Sequence, residues 1–230
     1  MQKAKCTAIV LAAGQGKRMG TKVQKQYLEI DGKPVLYYSL IAFEDSQLID
    51  EIVLVVGDSQ KEYCEKEIVS KYSIGKVKKI VQGGAERYHS VWNGLKEIDT
   101  GYVFIHDGAR PFINEEILQR AYEEVLVSNA CVVGMPVKDT IKIADAEHYA
   151  KETPERSLLW QIQTPQVFKI SLIKEAYKKL MQSDTIKVTD DAMVVEQMLG
   201  DKVKLVMGSY ENIKITTPED LKIAEIFVKK

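Results

Sequence analysis

The chain has 230 residues, 45% of them hydrophobic, with 32 basic against 33 acidic side chains and a formal net charge of -1. That length can bury a sizeable core. The even balance excludes the basic excess expected of a nucleic-acid or membrane-surface binder, so any anion site must come from a few placed cations. Cys6, Cys64 and Cys131 are odd in number and widely spaced, which speaks against a zinc site or a disulfide framework and for free thiols in a reducing cytoplasm. With no secretory signal at the N-terminus and no apolar run near the roughly 20 residues that span a bilayer, a cytoplasmic protein is expected.

In chain order, Thr7 to Leu11 is a continuous apolar run ending in Ala12-Ala13-Gly14, the pattern of a strand buried on both faces. Val35 to Phe43 is helix-like. Ile52 to Val56 runs into Gly57-Asp58, Val77 to Val81 into Gly83-Gly84, Tyr102 to Ile105 into His106-Asp107-Gly108, and Ala130 to Val133 into Gly134. Glu115 to Val127 carries Leu118, Ala121, Tyr122 and Val125 on one helical face. Strands alternating with helices predict a Rossmann-like α/β fold, a mostly parallel doubly wound sheet with ligands at the carboxyl ends of its strands. From about Lys138 to Trp160 the pattern breaks into β-prone residues mixed with Asp145, Glu147, Lys151 and Pro154, which reads as a protruding β-hairpin arm. Such an arm is marginally stable alone and needs support, for which a partner subunit is the expectation. Leu172, Ile173, Ala176, Tyr177 and Leu180 form a helix face, and Thr189-Asp190-Asp191 opens the next helix. Val203 to Val206 and Asn212 to Ile215 read as strands, and Thr217-Pro218-Glu219-Asp220 starts a final helix. One domain over 1–230 with an arm at about 138–160 is predicted.

Five segments can carry chemistry. Leu11 to Gly20, continuing to Lys25-Gln26, is a glycine turn after a buried strand, which lets backbone N–H groups approach phosphate oxygens. It is not a P-loop, because Arg18 follows Gly16-Lys17 where Lys and Ser/Thr are needed. Nor is it a dinucleotide fingerprint, because Met19 stands at a small-residue position and Asp58 comes far too late. What remains is a turn with Arg18 and Lys25 beyond it, suited to a triphosphate. Gly83-Gly84 before a helix is consistent with a base- or ribose-reading edge. His89 and Ser90 are neighbours on a helix and point apart, so they are no nucleophilic pair. In His106-Asp107-Gly108-Ala109-Arg110, Asp107 is a natural Mg²⁺ ligand and Arg110 a phosphate fork, whereas His106 reads as structural. Gln163-Thr164-Pro165-Gln166 looks like turn chemistry. Lys214, near the end of a supposed strand, would face the same crevice.

Together these segments resemble the 2-C-methyl-D-erythritol 4-phosphate cytidylyltransferase family, over nearly the whole chain from Ala8 to about Ala224. The likeness is carried by Ala-Ala-Gly-x-Gly-x-Arg-Met-Gly from Ala12, Lys25-Gln26-Tyr27, Gly-Gly-x-x-Arg-x-x-Ser-Val from Gly83, His-Asp-x-Ala-Arg-Pro from His106, and Gln-Thr-Pro-Gln from Gln163. Thr189-Asp190-Asp191-Ala192 and Asn212-Ile213-Lys214-Ile215-Thr216 follow in order. The resemblance implies transfer of CMP from CTP to methylerythritol phosphate. It implies that Ala12, Ala13, Gly14, Gly16, Gly83, Gly84 and Ser90 hold CTP, and that Arg18, Lys25 and Lys214 are catalytic. Asp107 would bind substrate and Mg²⁺, and Arg110, Thr164 and Thr189 would contact the acceptor. It further implies a homodimer through the arm, with Thr140 binding substrate and Arg156 acting catalytically across the interface. The chain departs from the family at Gln24, where proline is usual, and at Ala85, where some members carry an acid. A ribitol 5-phosphate cytidylyltransferase is the nearest alternative and a non-catalytic nucleotide-binding module a remote one. Ala12-Ala13-Gly14, Gly108-Ala109-Arg110 and Asp190-Asp191-Ala192 favour the methylerythritol substrate. No nucleic acid or membrane partner is expected.

Overall fold

The apolar runs become strands covered on both faces. The computed structural model describes residues 3–14, 24–183 and 187–229; Gly16 and Arg18 lie outside them. In chain order the elements are β1 (Cys6–Ala12), the small hairpin β2 (Glu29–Ile30) and β3 (Lys33–Pro34), α1 (Val35–Asp45), β4 (Glu51–Val56), α2 (Lys61–Tyr63, continued by a π-helical turn over Cys64–Ser70), β5 (Val77–Gln82), α3 (Arg87–Leu95), β6 (Tyr102–Asp107), α4 (Glu115–Ser128), β7 (Ala130–Pro136), the arm strands β8 (Ile143–Ala144) and β9 (Ala150–Glu152), β10 (Trp160–Lys169), α5 (Ile170–Leu180), α6 (Asp191–Leu199), β11 (Lys204–Met207) and α7 (Pro218–Val228). Among the described residues the main sheet has seven strands in the order β11-β7-β10-β6-β1-β4-β5. All its pairings are parallel except those of β10, which runs antiparallel to both neighbours.

Alternate residues of each central strand serve opposite layers, as the two-residue period of a strand requires. Ala8, Val10, Ile52, Leu54 and Phe104 pack with Leu36, Leu40 and Phe43 of α1 and Ile117, Leu118 and Ala121 of α4. Ile9, Val53, Val55, Val103 and Ile105 pack with Val91 and Leu95 of α3, Ile173 and Tyr177 of α5, and Val194 of α6. The helix ends carry the predicted signals. Asn114 accepts from Ile117 N at 3.0 Å, Asp190 accepts from Met193 N at 2.9 Å, and α6 closes on Gly200 at φ 73. Thr217 caps α7 with Pro218 at its first position and Asp220 reciprocating, a proline-led capping box.

The chain leaves β1 for β4 and β5 on one side, then crosses back to β6 on the other. The carboxyl ends of β1 and β6 therefore flank the point where strand order reverses, which opens a crevice there.

Two sequence expectations are corrected. Gln163 to Gln166 is no turn but part of β10, with a register shift between Ile162 and Gln166 and a cis Thr164–Pro165 peptide. Asn212 to Ile215 is no strand. It is extended chain held by Asn212 Nδ2 on Thr164 O at 2.9 Å and by Ile215 N on Ala109 O at 2.8 Å, with Ile215 buried against Ile30, Val35 and Ala224. The arm is a hairpin, as expected. Its tip turns on the Asp145 carboxylate, which accepts from Glu147 N and Tyr149 N at 3.1 and 2.8 Å. Its base is closed by Val137 N on Leu159 O at 3.0 Å and by Lys138, whose ammonium lies 3.4 Å from the centre of the Tyr210 ring. Tyr149 and Leu158 are 74% and 75% exposed.

Candidate active site

A cavity of about 730 Å³ occupies the predicted crevice. Ala13 and Gly14 beyond β1, Gly84 beyond β5, Arg87 and Ser90 from α3, Asp107 at the end of β6, and Lys25, Gln26 and Lys214 line it. Ala12 and Gly83 sit one residue behind that wall. Gly83 has no room for a side chain: a Cβ would collide with that of Ala13 and lie 2.9 Å from Ser90 Oγ. The Ser90 hydroxyl accepts from Gly84 N at 3.0 Å and donates to Glu86 O at 3.3 Å, so it orders the Gly-Gly turn from within. His89 Nδ1 accepts from Glu86 N at 3.3 Å, which makes it part of the helix start rather than a partner of Ser90.

The described part of the glycine turn is tied down by Gln26, which is 2% exposed. Its amide nitrogen shares its two hydrogens among Ala12 O at 2.6 Å, Gly14 O at 3.1 Å and Gln24 Oε1 at 2.7 Å. Gln24 has φ -65 and ψ 140, the backbone that proline would impose. The departure from proline therefore leaves the entry to Lys25 unchanged and adds an acceptor for Gln26. Ala85 lines the cavity without any polar side-chain group.

A chain of ion pairs starts on the cavity wall and runs into the interior. Lys214 Nζ is 2.7 Å from Asp107 Oδ2, and Arg87 Nε is 3.4 Å from Asp107 Oδ1. The two terminal nitrogens of Arg87 grip Asp191 at 2.9 and 2.8 Å, and the Tyr177 hydroxyl donates to Asp191 at 2.6 Å. Burial pushes the Asp107 carboxyl up, but Arg87 and Lys214 outweigh it and hold the group well below the usual carboxylate range, so it is ionised at any working pH. For Arg87, burial opposes the charge, and Asp191 and Asp107 overcome it and raise the guanidinium above its ordinary value. Burial, with the Asp191 charge added, keeps the Tyr177 phenol protonated and donating. His106 Nε2 faces Arg110 O at 3.0 Å and Nδ1 faces Thr164 Oγ1 at 3.0 Å, while Thr164 Oγ1 also accepts from Asp107 N at 3.1 Å. Burial pushes this imidazole down to about 4. It is a neutral crosslink, not a base.

The structure brings Ala13, Gly14, Lys25, Gly84, Ser90, Asp107 and Lys214 to one wall. Among the described residues, Arg110, Thr164, Thr189, Thr140 and Arg156 are not on that wall. Arg110 donates to Asn212 O at 2.8 Å and Ile162 O at 3.4 Å. Thr164 is 4% exposed with its hydroxyl engaged as above. Thr189 is exposed next to the cap of α6. Thr140 and Arg156 are on the arm, where Arg156 donates to Lys138 O at 3.1 Å. Sequence reasoning gave no role to Gln26, Arg87, Gln166, Tyr177 or Asp191, although most of them stand inside the quoted motifs. Among the described residues no cluster of three or more His, Cys, Asp or Glu side chains could hold a metal ion. Asp107 offers a single carboxylate facing the cavity, which fits Mg²⁺ as one ligand among phosphate oxygens and waters.

The sequence profile of the IspD family, 2-C-methyl-D-erythritol 4-phosphate cytidylyltransferase, matches residues 6–230. The chain belongs to this family. It is 56% identical over 225 residues to the 2-C-methyl-D-erythritol 4-phosphate cytidylyltransferase of Lachnospira eligens, covering 97% of this chain and 99% of the relative. It is similar to the crystal structure of the 4-diphosphocytidyl-2C-methyl-D-erythritol synthase of Anaerococcus prevotii, with a TM-score of 0.87 at 37% identity, over 99% of this chain and 97% of that one. The Thermus thermophilus 2-C-methyl-D-erythritol 4-phosphate cytidylyltransferase aligns with a TM-score of 0.79 at 29% identity, over 96% and 98% of the two chains. In this IspD family member the cavity lies where the Ala13-Gly14 turn, Gly84, Asp107 and Lys214 meet. No helix among the described residues is long and apolar enough to cross a membrane.

Proposed function

We propose that this IspD family member transfers CMP from CTP to 2-C-methyl-D-erythritol 4-phosphate, giving 4-diphosphocytidyl-2-C-methyl-D-erythritol and pyrophosphate in isoprenoid biosynthesis. The observation that carries the reading is the meeting of Lys25, Lys214 and Asp107 with the Ala13-Gly14 and Gly83-Gly84 turns on one cavity of about 730 Å³. An oxygen of the acceptor phosphate attacks the α-phosphorus; that P–O bond forms as the bond to the bridging oxygen breaks and pyrophosphate leaves with the electron pair. A phosphate monoester has a second pKa of about 6, so the nucleophile is already an anion and no base is required. The difficulty is the approach of two anions, and cations preplaced where charge grows relieve it.

The turn around Ala12, Ala13, Gly14 and Gly16 would present N–H groups to the triphosphate, and Gly83, Gly84 and Ser90 would receive the cytosine. Lys25 and Lys214, with Arg18, would neutralise the α-phosphate and the leaving group. Asp107 would hold Mg²⁺, which when bound supplies further neutralisation of the phosphates. Arg110, Thr164 and Thr189 are assigned to the acceptor side, where Arg110 and Thr164 act through the backbone they fasten. A second copy of the chain completes the site: the exposed arm packs on its partner and delivers Thr140 and Arg156 to the neighbouring acceptor. Buried free thiols at Cys6, Cys64 and Cys131 suit a reducing compartment, and we place the enzyme in the cytoplasm.

The test is pyrophosphate release with CTP and Mg²⁺ against methylerythritol phosphate, ribitol 5-phosphate and a sugar phosphate. Turnover with the first alone is expected. A higher kcat/KM for ribitol 5-phosphate would overturn the acceptor, and no release with any of them would overturn catalysis.

A further inference from the structure

Asp191 belongs to none of the roles above, yet it is the most deeply fixed charge near the cavity. It is fully buried. Tyr177 OH donates to it at 2.6 Å, and its own N–H and that of Ala192 converge on Gln166 Oε1 at 2.9 and 2.8 Å. Gln166 Nε2 in turn donates to Asp190 at 3.0 Å. The start of α6 is thereby locked to β10 and α5, and the carboxylate cannot follow a moving partner. Its partner is Arg87, gripped by both terminal nitrogens, the bidentate geometry that a guanidinium prefers. Among the described residues Arg87 makes one further ion pair, a long one at 3.4 Å from Nε to Asp107, whereas Lys214 sits 2.7 Å from the other oxygen of the same carboxylate.

We propose that Asp191 is a positioning residue: by holding the fork of Arg87 it keeps that fork off Asp107, so that Asp107 keeps Lys214 as its close partner and fixes the ammonium at the cavity wall. Two cations border one carboxylate, and a planar fork outcompetes a single ammonium for two oxygens. Only a stronger, rigid carboxylate elsewhere prevents that exchange. Without the Asp191 charge, the guanidinium of Arg87 is free to turn its fork onto Asp107, the carboxylate turns with it, and Lys214 loses its anchor. An ion pair that merely fastened α6 to α3 would predict lost stability and nothing more.

The inference rests on the catalytic assignment of Lys214, so the test compares Asp191→Asn, the double variant Arg87→Gln/Asp191→Asn, and Lys214→Gln with the wild-type enzyme. Thermal unfolding of each sets an assay temperature at which all are folded. For Asp191→Asn, kcat is expected to fall at least tenfold while the KM for CTP, and its Kd by calorimetry, stay within about threefold. The double variant removes the competing fork and leaves no uncompensated buried charge, so it should recover to within about tenfold of wild type. It also decides the matter if Asp191→Asn does not fold. A folded Asp191→Asn enzyme with kcat within threefold of wild type overturns the proposal, as does a double variant below a tenth of wild-type kcat. Lys214→Gln separates the premises: if its kcat is near wild type the assignment of Lys214 fails, and if it is crippled while Asp191→Asn is not, only the positioning role fails.

Discussion

Replacing His106 by glutamine should flatten the acid side of the stability curve. The imidazole is fully buried, edge-on to Phe43 at 5.2 Å, and hydrogen-bonded at both nitrogens to Arg110 O and Thr164 Oγ1. A second ring proton, placed on Nδ1, would have to displace the Thr164 hydroxyl hydrogen from that nitrogen, and Thr164 Oγ1 already accepts from Asp107 N. Burial holds the folded group at about 4 against an ordinary 6.5. The unfolded chain therefore takes up a proton below 6.5 that the folded chain refuses. The contribution is whole above 6.5 and is lost progressively as the pH falls towards 4. A gap of about 2.5 pH units at about 1.36 kcal/mol per unit gives about 3 kcal/mol, or about 6–12 °C in Tm for a chain of this size. The contribution of Asp107, depressed below its ordinary 3.8, is intact throughout this window and is lost only at lower pH. The assay is thermal unfolding of wild-type and His106→Gln proteins from pH 7.5 to 4.5, in chelator and without nucleotide. Wild type should lose several degrees more than the variant, whose amide can keep one bond to each partner. Parallel Tm curves would show that His106 is not held neutral, and the reasoning would fail.

Lys25→Ala should lower turnover by roughly 10²-fold, in line with loss of a comparable preorganised donor, and Arg18→Ala should do the same; pyrophosphate release in folded protein within a few-fold of wild type refutes either assignment. Gly83→Ala forces a Cβ against Ala13 and Ser90, an overpacking strain of about 1–3 kcal/mol. It should appear as a KM for CTP raised at least tenfold, and an unchanged KM would show that the turn relaxes freely. Arg156→Ala and Thr140→Ala should raise the acceptor KM and leave that for CTP alone, and mixing each with an inactive Lys25→Ala protein should restore part of the acceptor affinity if the residues act across subunits.

Legibility from sequence followed burial. β1, β4 and β6 announced themselves because both faces are apolar and each ends in residues fit for a turn. β10 did not. Gln161, Gln163, Thr164 and Gln166 break its apolar run, and Pro165 demotes any strand reading. Those polar side chains are there to tie loops to the sheet: Gln163 Nε2 donates to Ser209 O at 2.7 Å, and Gln166 caps the start of α6. Asn212 to Ile215 misled for the converse reason. Its alternation of polar and apolar residues is real, but Ile215 packs on the β2–β3 hairpin and α7 instead of joining a ladder. The cations of the site were legible as residue types beside glycine turns. Arg87 and Asp191 were not, because nothing local links residues 104 positions apart; the available signal was that both stand in motifs whose other members had been assigned to the site.

A chain with a net charge of -1 offers no long-range attraction to two polyanions, so the work of bringing them together falls on a few side chains held in place before either arrives. Free lysines would be poor instruments, since each loses rotamer entropy when it is immobilised. Lys214 is already ordered: one of its three N–H donors is given to Asp107, and the ammonium stays on the cavity wall. The cost is that Asp107 brings its own negative charge next to the phosphates. That charge is offset by Lys214 itself and in part by Arg87, 3.4 Å away, and Arg87 is itself steadied by Asp191. Reading outward from the cavity, the signs alternate: ammonium, carboxylate, guanidinium, carboxylate. The outermost member is the most deeply buried and the one furthest from water. Such an ordering places the least mobile charge where it is least screened, and leaves the positive end of the chain facing the space where the substrates meet.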